Sequence, residues 1–327
     1  MKITYFQRKA IPNFHFSVEI IFSDVRKHLP ADVQYSVEIC RYYSRGLFPR
    51  IYDTIEAFFR SGEINHVTGD ISFIGILLPA RKTIHTILDC VYMKRSSGIR
   101  QWVYRLFWIR IPARRCRFIT TISEASKAEI VEYARCPADK VKVIPIALSS
   151  VFKRAERSYR WEKPRVLLVG AAPNKNIANI LEALKDIPCF VRIVGQLNPV
   201  FKAFLEQHGI EHEYEWGLNI DQMYDRYRDT DLLVFASTYE GFGMPIIEAQ
   251  ACGTLVVTSN ISSMPEVGGT GAVYVDPYSV DSIREGIRNV IGDPSLRERL
   301  LASGFDNVKR FNPGAISNMY LELYKQI

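Results

Sequence analysis

The stretch of residues 232–253 constrains the fold of this 327-residue chain more than any other part of it. Residues 232–236 are all apolar and predict a buried strand of a parallel sheet. A loop with two glycines follows, and residues 244–252 predict a helix with Pro245 in its first turn. Gly253 is expected to cap that helix. The order of strand, glycine loop and helix predicts an α/β fold.

The glycine loop and the start of the helix have the chemistry of a phosphate site. Gly241 and Gly243 lack a Cβ atom, so a ligand can approach the backbone closely. The N–H groups at a helix start favour an anion such as a phosphate. Glu240 lies in the loop and Glu248 lies in the helix, where a carboxylate can accept hydrogen bonds from sugar hydroxyls.

Glu240 and Glu248 are separated by seven residues within the segment E-G-F-G-M-P-I-I-E-A. With the strand before it and the Ala-Cys-Gly segment of residues 251–253 after it, this segment resembles the E-x7-E motif of retaining family-4 glycosyltransferases. The resemblance implies the GT-B fold, in which two Rossmann-like, doubly wound α/β domains face a cleft. A structural helix in another Rossmann-like protein is the alternative interpretation.

The length and the resemblance together predict three segments. Residues 1–155 are expected to form an acceptor-binding Rossmann-like domain. Residues 156–308 are expected to form the nucleotide-sugar-binding domain, and residues 309–327 a terminal helix that returns toward the first domain.

The resemblance also implies roles for particular residues. Lys175 is expected to stabilise the leaving diphosphate, Glu240 to orient the sugar and Glu248 to hold the ribose. The expected catalytic residues are Glu240, Lys175 and Asp89. The expected nucleotide-sugar contacts are Gly170, Lys175, Trp216, Gly217, Glu240, Gly241, Phe242, Gly243, Met244, Glu248 and Ser123, for which helix capping is the alternative role. The acceptor-side candidates are His66, Asp70 and His85.

Three positions depart from the family pattern. Leu88 occupies the position of the family's histidine, and Ala171 stands where the family often has an arginine. The loop of residues 8–16 has no glycine. His85 lies near Leu88, but side chains alternate along the predicted strand of residues 82–90, so the two are expected on opposite faces. Either the activity is altered, or His66 or Asp89 serves instead. For His85 the ordinary interpretation is a strand histidine with its hydrogen bonds satisfied.

The resemblance implies a hexosyltransferase that moves a sugar from a nucleotide-sugar donor to a glycan, lipid-linked or other acceptor with retention of configuration. It implies no cofactor and no bound metal, and a place in cell-surface polysaccharide or glycolipid synthesis. The D-x-D segment of Asp229 and Asp231 is not expected to bind metal, since Asp231 opens a buried strand. A catalytically degenerate nucleotide-sugar binder or partner subunit is the alternative, and a basic surface adaptor is a third hypothesis.

Positive charge is concentrated in the first half of the chain. Residues 1–150 hold 23 Lys and Arg against 13 Asp and Glu, whereas the remainder is slightly acidic. Residues 95–117 combine arginines with aromatic rings, which is typical of a segment that docks on an anionic membrane. Trp102, Leu106 and Ile109 also have the spacing of a core helix with a solvated basic face, so both interpretations stand. No nucleic-acid-binding motif accompanies the charge, and nucleic acid is not an expected partner.

The cysteines and the apolar segments indicate a location. Six cysteines are scattered without a C-x-x-C pair, which is typical of a reducing cytosol. The first residues lack the apolar region of a signal peptide, and the longest apolar run, residues 71–80, is too short to span a bilayer. The sequence predicts a cytoplasmic protein, with peripheral attachment to the inner face of the membrane as the open question.

Overall fold

The computed structural model describes residues 1–9 and 18–327, so most of the glycine-free loop of residues 8–16 lies outside the described residues. Backbone contacts divide the chain into two units. The first comprises Met1–Ala147 with Pro313–Ile327, and the second comprises Leu148–Asn312.

The strands and helices alternate along most of the chain. The strands are β1 (Lys2–Gln7), β2 (Gln34–Ile39), β3 (Ile64–Thr68), β4 (Thr83–Thr86), β5 (Phe118–Thr121), β6 (Val141–Val143), β7 (Arg165–Val169), β8 (Phe190–Val194), β9 (Glu211–Glu215), β10 (Leu232–Phe235), β11 (Leu255–Ser259) and β12 (Val273–Val275). The helices are α1 (Val18–Lys27), α2 (Leu47–Phe59), α3 (Val91–Arg95), α4 (Gly98–Tyr104), α5 (Ile111–Arg114), α6 (Glu124–Ala134), α7 (Ile177–Leu184), α8 (Pro199–Gln207), α9 (Ile220–Arg228), α10 (Met244–Cys252), α11 (Met264–Gly268), α12 (Val280–Gly292), α13 (Pro294–Asn307) and α14 (Pro313–Tyr324). A π-helical segment, Arg105–Arg110, joins α4 to α5.

In the described part of the first unit, six parallel strands follow the order β2-β1-β3-β4-β5-β6. The alternating pattern of residues 1–6 is compatible with an edge strand, but β1 is an interior strand. β1 pairs with both β2 and β3, and five of its six residues are buried. An interior strand is covered on both faces, so its apolar side chains do not need to alternate with polar ones.

The terminal helix α14 completes the core of the first unit. It packs against α1 and buries Tyr320 and Tyr324. The Tyr324 hydroxyl lies 2.9 Å from the Tyr5 hydroxyl and 2.7 Å from His66 Nδ1. His66 Nε2 in turn lies 2.7 Å from the Thr86 hydroxyl. This buried network joins the helix to three strands of the sheet, and each polar group within it has a partner.

The second unit, all of which is described, has six parallel strands in the order β12-β11-β10-β7-β8-β9. Its core is formed by the apolar side chains of these strands and of the helices that follow them. β7 and β10 are neighbours in the centre of the sheet. Because parallel strands end at the same edge, the loops that follow β7 and β10 lie side by side, where α/β sheets bind ligands.

One predicted helix agrees with the structure, and one predicted strand is shorter than expected. The helix predicted over residues 244–252 has those bounds as α10, and Gly253 after it has the left-handed conformation of a C-cap. The strand predicted over residues 82–90 ends at Thr86. Within the described residues, no helix combines the length and the apolar character needed to cross a bilayer.

Candidate functional site

Lys175, in the loop after β7, packs against Gly170 and contacts an aromatic ring and a carboxylate. Gly170 has a φ of 88°, and a side chain there would place its Cβ 2.8 Å from Lys175 Cε. The Lys175 ammonium lies 4.4 Å from the centre of the Phe235 ring and 2.7 Å from Glu240 Oε1. Glycine at position 170 therefore admits the stem of the lysine, which places its charge beside Glu240.

The loop that carries Glu240 is fixed by hydrogen bonds from polar side chains of Asn174, Ser262 and Ser263. Asn174 Nδ2 donates to the Tyr239 carbonyl at 3.0 Å and to Glu240 Oε1 at 3.2 Å. Ser263 Oγ donates to the carbonyls of Glu240 at 3.0 Å and Phe242 at 2.7 Å. The carboxylate is therefore positioned by its own loop and by two neighbouring loops.

The helix α10 begins immediately beyond this loop. Gly243 precedes it with a φ of 104°, a conformation that favours glycine. Phe242 is buried, and its ring packs edge to face against Phe311 with centroids 5.6 Å apart. The first turn of α10 has N–H groups without acceptors in the helix, and its dipole favours an anion. Lys175 and the start of α10 thus both lie at the carboxyl edge of the central strands.

Glu248 lies in the second turn of α10 and is only 5% exposed. The hydroxyl of Tyr227, a fully buried residue of α9, donates to Glu248 Oε2 at 2.8 Å. Burial raises the pKa of Glu248 to about 7, while the Tyr227 hydrogen bond and the charge of Lys175 act to lower it. The carboxyl group therefore titrates near neutral pH, and one of its two oxygens is held by the tyrosine.

Trp216 and Gly217 lie after β9, two strands from β7 and therefore roughly 10 Å further along the sheet. The Trp216 side chain is 57% exposed and stacks on Tyr214, with centroids 6.3 Å apart. Gly217 has a φ of 74°. An exposed indole at this edge of the sheet can stack on a flat ring such as a nucleobase.

A cavity of about 830 Å³ lies within the first unit and brings together three of the positions discussed from the sequence. Asp70, Leu88 and Asp89 all line it. Asp70 is exposed and lies 3.4 Å from Arg8 Nη1. Asp89 Oδ1 accepts a hydrogen bond from the Val91 N–H at the start of α3. Leu88 lies beyond the end of β4, so the argument from alternating strand faces does not apply to it.

The acceptor-side candidates His66 and His85 are fully buried, so neither side chain reaches the surface of the first unit. Burial lowers the pKa of each to about 3. His66 is occupied in the network with Tyr324. Both ring nitrogens of His85 lack a hydrogen-bond partner among the described residues, which corrects the expectation of a satisfied strand histidine. The His85 ring packs against Gly75, where a Cβ atom would lie 2.1 Å from its Cε1.

Ser123 belongs to the first unit and is fully buried at the start of α6. Its hydroxyl accepts a hydrogen bond from the Ser126 N–H at 3.0 Å. The side chain therefore acts as the helix cap, which is the alternative role that the sequence left open.

The basic segment of residues 95–117 exposes the apolar side chains of its first half. Of the proposed core stripe, Ile109 is buried, but Trp102 is 53% exposed. Ile99, Val103 and Phe107 are also exposed. The core-helix interpretation is therefore wrong for α4, because none of the residues of this helix is buried.

The two aspartates of the D-x-D segment have protein partners. Asp229 forms ion pairs with Arg165 and with Arg192, the latter at 3.3 Å. Asp231 Oδ2 accepts a hydrogen bond from the Arg165 N–H at 2.8 Å. Both carboxylates thus stabilise the start of β7 and its neighbours.

Asn174, Tyr227 and Ser263 contact the expected site residues but were not identified from the sequence. Asn174 precedes Lys175 directly, so its position in the loop was the available signal. Tyr227 and Ser263 lie 21 and 23 residues from Glu248 and Glu240 respectively. Only the packing of α9 on α10 and of the neighbouring loop on Glu240 brings them to the site.

Comparisons with known proteins identify sequences similar to this chain. Residues 152–305 match the model of the family described as glycosyl transferases group 1. The chain is 31% identical over 235 residues to O-antigen chain mannosyltransferase B of Escherichia coli, a match that covers 64% of this chain and 60% of that protein. It is 28% identical over 242 residues to O-antigen chain mannosyltransferase RfbU of Salmonella typhimurium, covering 70% and 66%. The chain thus spans less than two thirds of either relative.

Solved structures share the fold at low identity. Anabaena Alr3699/HepE in complex with UDP and glucose has a TM-score of 0.80 at 14% identity, with all of both chains covered. WaaG, a glycosyltransferase involved in lipopolysaccharide biosynthesis, has a TM-score of 0.70 at 13% identity, covering 98% of this chain and 99% of that one.

Proposed function

Because residues 152–305 belong to the glycosyl transferases group 1 family and the chain has the GT-B fold, we propose that it is a glycosyltransferase that uses a nucleotide-sugar donor. The observation that carries the proposal is the ion pair of Lys175 and Glu240 beside the start of α10. A cation and a helix start together suit a diphosphate, and the adjacent carboxylate suits sugar hydroxyls.

The second unit supplies the groups that the chemistry requires. Lys175 and the N–H groups of the loop from Gly241 to Met244 would stabilise the charge that develops on the leaving diphosphate. Glu240 would orient the sugar, and Glu248 would accept hydrogen bonds from the ribose hydroxyls. Trp216 and Gly217 would receive the base. We propose transfer with retention of configuration, as in family-4 enzymes, and without a bound metal or other cofactor.

The relatives favour mannose as the sugar and a bacterial surface polysaccharide or glycolipid as the product, since both are O-antigen chain mannosyltransferases. The acceptor would be a glycan or a lipid-linked sugar, with Asp70 and Asp89 in the cavity of the first unit as the residues that contact it. We expect a cytoplasmic enzyme that meets its acceptor at the anionic face of a membrane through residues 95–117.

A thermal-shift screen tests the donor site directly. UDP-, GDP- and ADP-linked sugars should each be added to the full chain, and the matching one should raise its melting temperature. A ligand at 100 times its dissociation constant adds about 2.7 kcal/mol to the free energy of unfolding. Release of nucleoside diphosphate on addition of acceptor would then demonstrate turnover. The proposal fails if no nucleotide sugar stabilises the protein.

One observation favours the alternative of a donor-binding protein without catalysis. Leu88 lines the cavity at the position of the family's histidine, and its side chain cannot form a hydrogen bond. Binding of a nucleotide sugar without release of nucleoside diphosphate would support this alternative. Appearance of activity in Leu88→His would then identify the missing imidazole as the cause.

A further inference from the structure

The helix α2 has its apolar face turned outward. Phe48 and Phe59 are 83% and 80% exposed, and Leu47 is 68% exposed. The other large exposed apolar side chains of the helix are Ile51, Tyr52, Ile55 and Phe58. In contrast, the fully buried positions of α2 are Asp53 and Ala57, one turn apart. Soluble monomers rarely expose a continuous apolar face of this kind, which therefore indicates an interaction surface.

The helix α4 presents a second exposed apolar face beside the cavity of the first unit. Its exposed residues Ile99, Trp102 and Val103 have the spacing of one helix face. The guanidinium of Arg50 in α2 lies 4.7 Å from the centre of the Trp108 ring, which belongs to the π-helical segment that follows α4. Both helices contribute residues to the lining of the cavity. Arg50 of α2 and the apolar residues Ile99 and Val103 of α4 thus line the cavity that also contains Asp70, Leu88 and Asp89.

The charges around these faces select the partner. Between Arg41 and Arg60, the charged side chains that are exposed are Arg41, Arg45 and Arg60. Asp53 is buried, and Glu56 is half-buried and paired with Arg60 at 2.7 Å. Residues 91–117 contain eight Lys and Arg and no Asp or Glu. An apolar, aromatic-rich face with a rim of arginines complements the boundary between acyl chains and anionic head groups.

We propose that α2 is an interfacial helix that, together with α4, seats the first unit on an anionic lipid bilayer. A second copy of the chain fits this face less well, because a symmetric dimer would place the arginine rim against itself. The inference rests on the proposed function in one respect: docking on the membrane would bring the cavity of the first unit to a lipid-linked acceptor. Membrane binding itself requires no donor and no catalysis.

The test is co-sedimentation of the full chain with vesicles. Vesicles of phosphatidylcholine alone should bind weakly, and an equal mixture with phosphatidylglycerol should bind strongly in a salt-dependent manner. The double variant Phe48→Ser/Phe59→Ser should weaken partitioning by about tenfold or more, because two large side chains no longer enter the interface. Both positions are highly exposed in the free protein, so the fold is expected to be retained.

Two controls make the result specific. Val200→Ser/Tyr278→Ser removes two exposed side chains of the second unit, each 69% exposed, and should leave partitioning unchanged. Phe48→Trp/Phe59→Trp should preserve it. The proposal is overturned if the wild type does not bind the anionic vesicles or if the serine variant binds them as strongly as the wild type. It is also overturned if the wild type forms a dimer that the serine variant abolishes while vesicle binding persists.

The donor assay separates this inference from the proposed function. If nucleotide sugars stabilise the protein but vesicles do not bind it, membrane docking is wrong and the donor site of the proposed function stands. If vesicles bind and no nucleotide sugar does, the docking surface stands and the proposed function fails.

Discussion

The helices α10 and α2 are both rich in apolar residues, but they contact their surroundings in opposite ways. α10 buries seven of its nine residues, including Glu248 and Gln250. α2 buries Asp53 and Ala57 and exposes its largest apolar side chains. α10 is covered by neighbouring elements, so its polar groups need partners within the protein. α2 is covered on one face only. An apolar helix therefore belongs to the core only where other elements cover it.

This difference matches two kinds of binding. The buried polar groups around α10 are preorganised by hydrogen bonds, which suits recognition of a small polar ligand. The exposed apolar groups of α2 make no such bonds and suit a broad, non-specific surface. Four predictions test the contrast, beginning with the largest expected effect.

Removal of the Lys175 charge should have the largest effect. We expect Lys175→Ala to lower kcat/KM for the nucleotide-sugar donor by about 10²- to 10³-fold, as for loss of one group that stabilises a developing anion. Steady-state assays of nucleoside diphosphate release measure this directly. Lys163→Ala is the matched control, because Lys163 also pairs with a glutamate in the second unit but is 49% exposed, whereas Lys175 is 18% exposed.

A Lys175→Ala variant with unchanged kcat/KM would show that the ion pair with Glu240 is structural. Glu240→Ala separates the two roles further. It should reduce turnover while leaving the affinity for free nucleoside diphosphate intact, since the carboxylate is expected to contact the sugar.

The same substitution in the two helices tests their different burial. Ile246 in α10 is fully buried, and Ile55 in α2 is 46% exposed. We expect Ile246→Ala to reduce the free energy of unfolding by about 3–4 kcal/mol, because it leaves a cavity in the core. Ile55→Ala should cost less than about 1 kcal/mol. Urea unfolding followed by circular dichroism provides both values, and equal losses would contradict the burial of the two helices described above.

The contrast between these helices also marks what could be predicted from the sequence. The strand, glycine loop and helix of the second unit were predictable, because Leu232 to Phe235 are uniformly apolar and Gly243 and Gly253 delimit the helix. The ion pair of Lys175 and Glu240 was predictable only as a shared ligand site, through the resemblance to family-4 enzymes. Their direct contact depends on the pairing of β7 with β10, which no local pattern specifies.

Other features depended on tertiary contacts that are distant in sequence. β1 is interior because β2 and β3 flank it, not because of its own residues. Trp102 has the spacing of a core residue, but nothing in its own segment states which side the sheet covers. His66 was a plausible site residue, but it is buried in contact with Tyr324 of α14, which lies 258 residues later in the sequence. These contacts between distant segments cannot be predicted from the local patterns of a single sequence.

The buried carboxyl of α10 should make stability depend on pH. The pKa of Glu248 is raised from 4.5 to about 7, so the unfolded chain loses this proton first and the folded state is progressively disfavoured from pH 4.5 to 7. Glu248→Gln removes this cost. We expect it to increase the free energy of unfolding at pH 8 by up to about 3 kcal/mol, relative to its effect at pH 4.5, at 1.36 kcal/mol per pKa unit.

Thermal unfolding at several pH values measures this difference. Glu215→Gln is the control of opposite sign, because its hydrogen bond with Arg226 lowers the pKa of Glu215. Relative to the wild type, the free energy of unfolding of that variant should become smaller as the pH rises through the acid range. If Glu248→Gln shows the same pH dependence as the wild type, the glutamate is not buried as described.

The smallest effect is expected from the hydroxyl that orients Glu248. Tyr227→Phe keeps the ring, which packs edge to face on Phe152, and removes only the hydrogen bond to Glu248 Oε2. Loss of one such bond is worth about 1 kcal/mol, so KM for the donor should rise between about twofold and tenfold with little change in kcat. Tyr159→Phe is the matched control, since its hydroxyl donates to the Gly253 carbonyl at the far end of the same helix.

A pH profile decides whether Tyr227 acts through Glu248 or only supports the fold. The tyrosine hydrogen bond lowers the pKa of Glu248, so its removal should move the titration of donor affinity to higher pH. A purely structural role would weaken binding equally at all pH values. Tyr227 and the buried face of α10 would then only support the structure of the site. The difference between α10 and α2 would be a difference in packing and not in the way they bind a ligand.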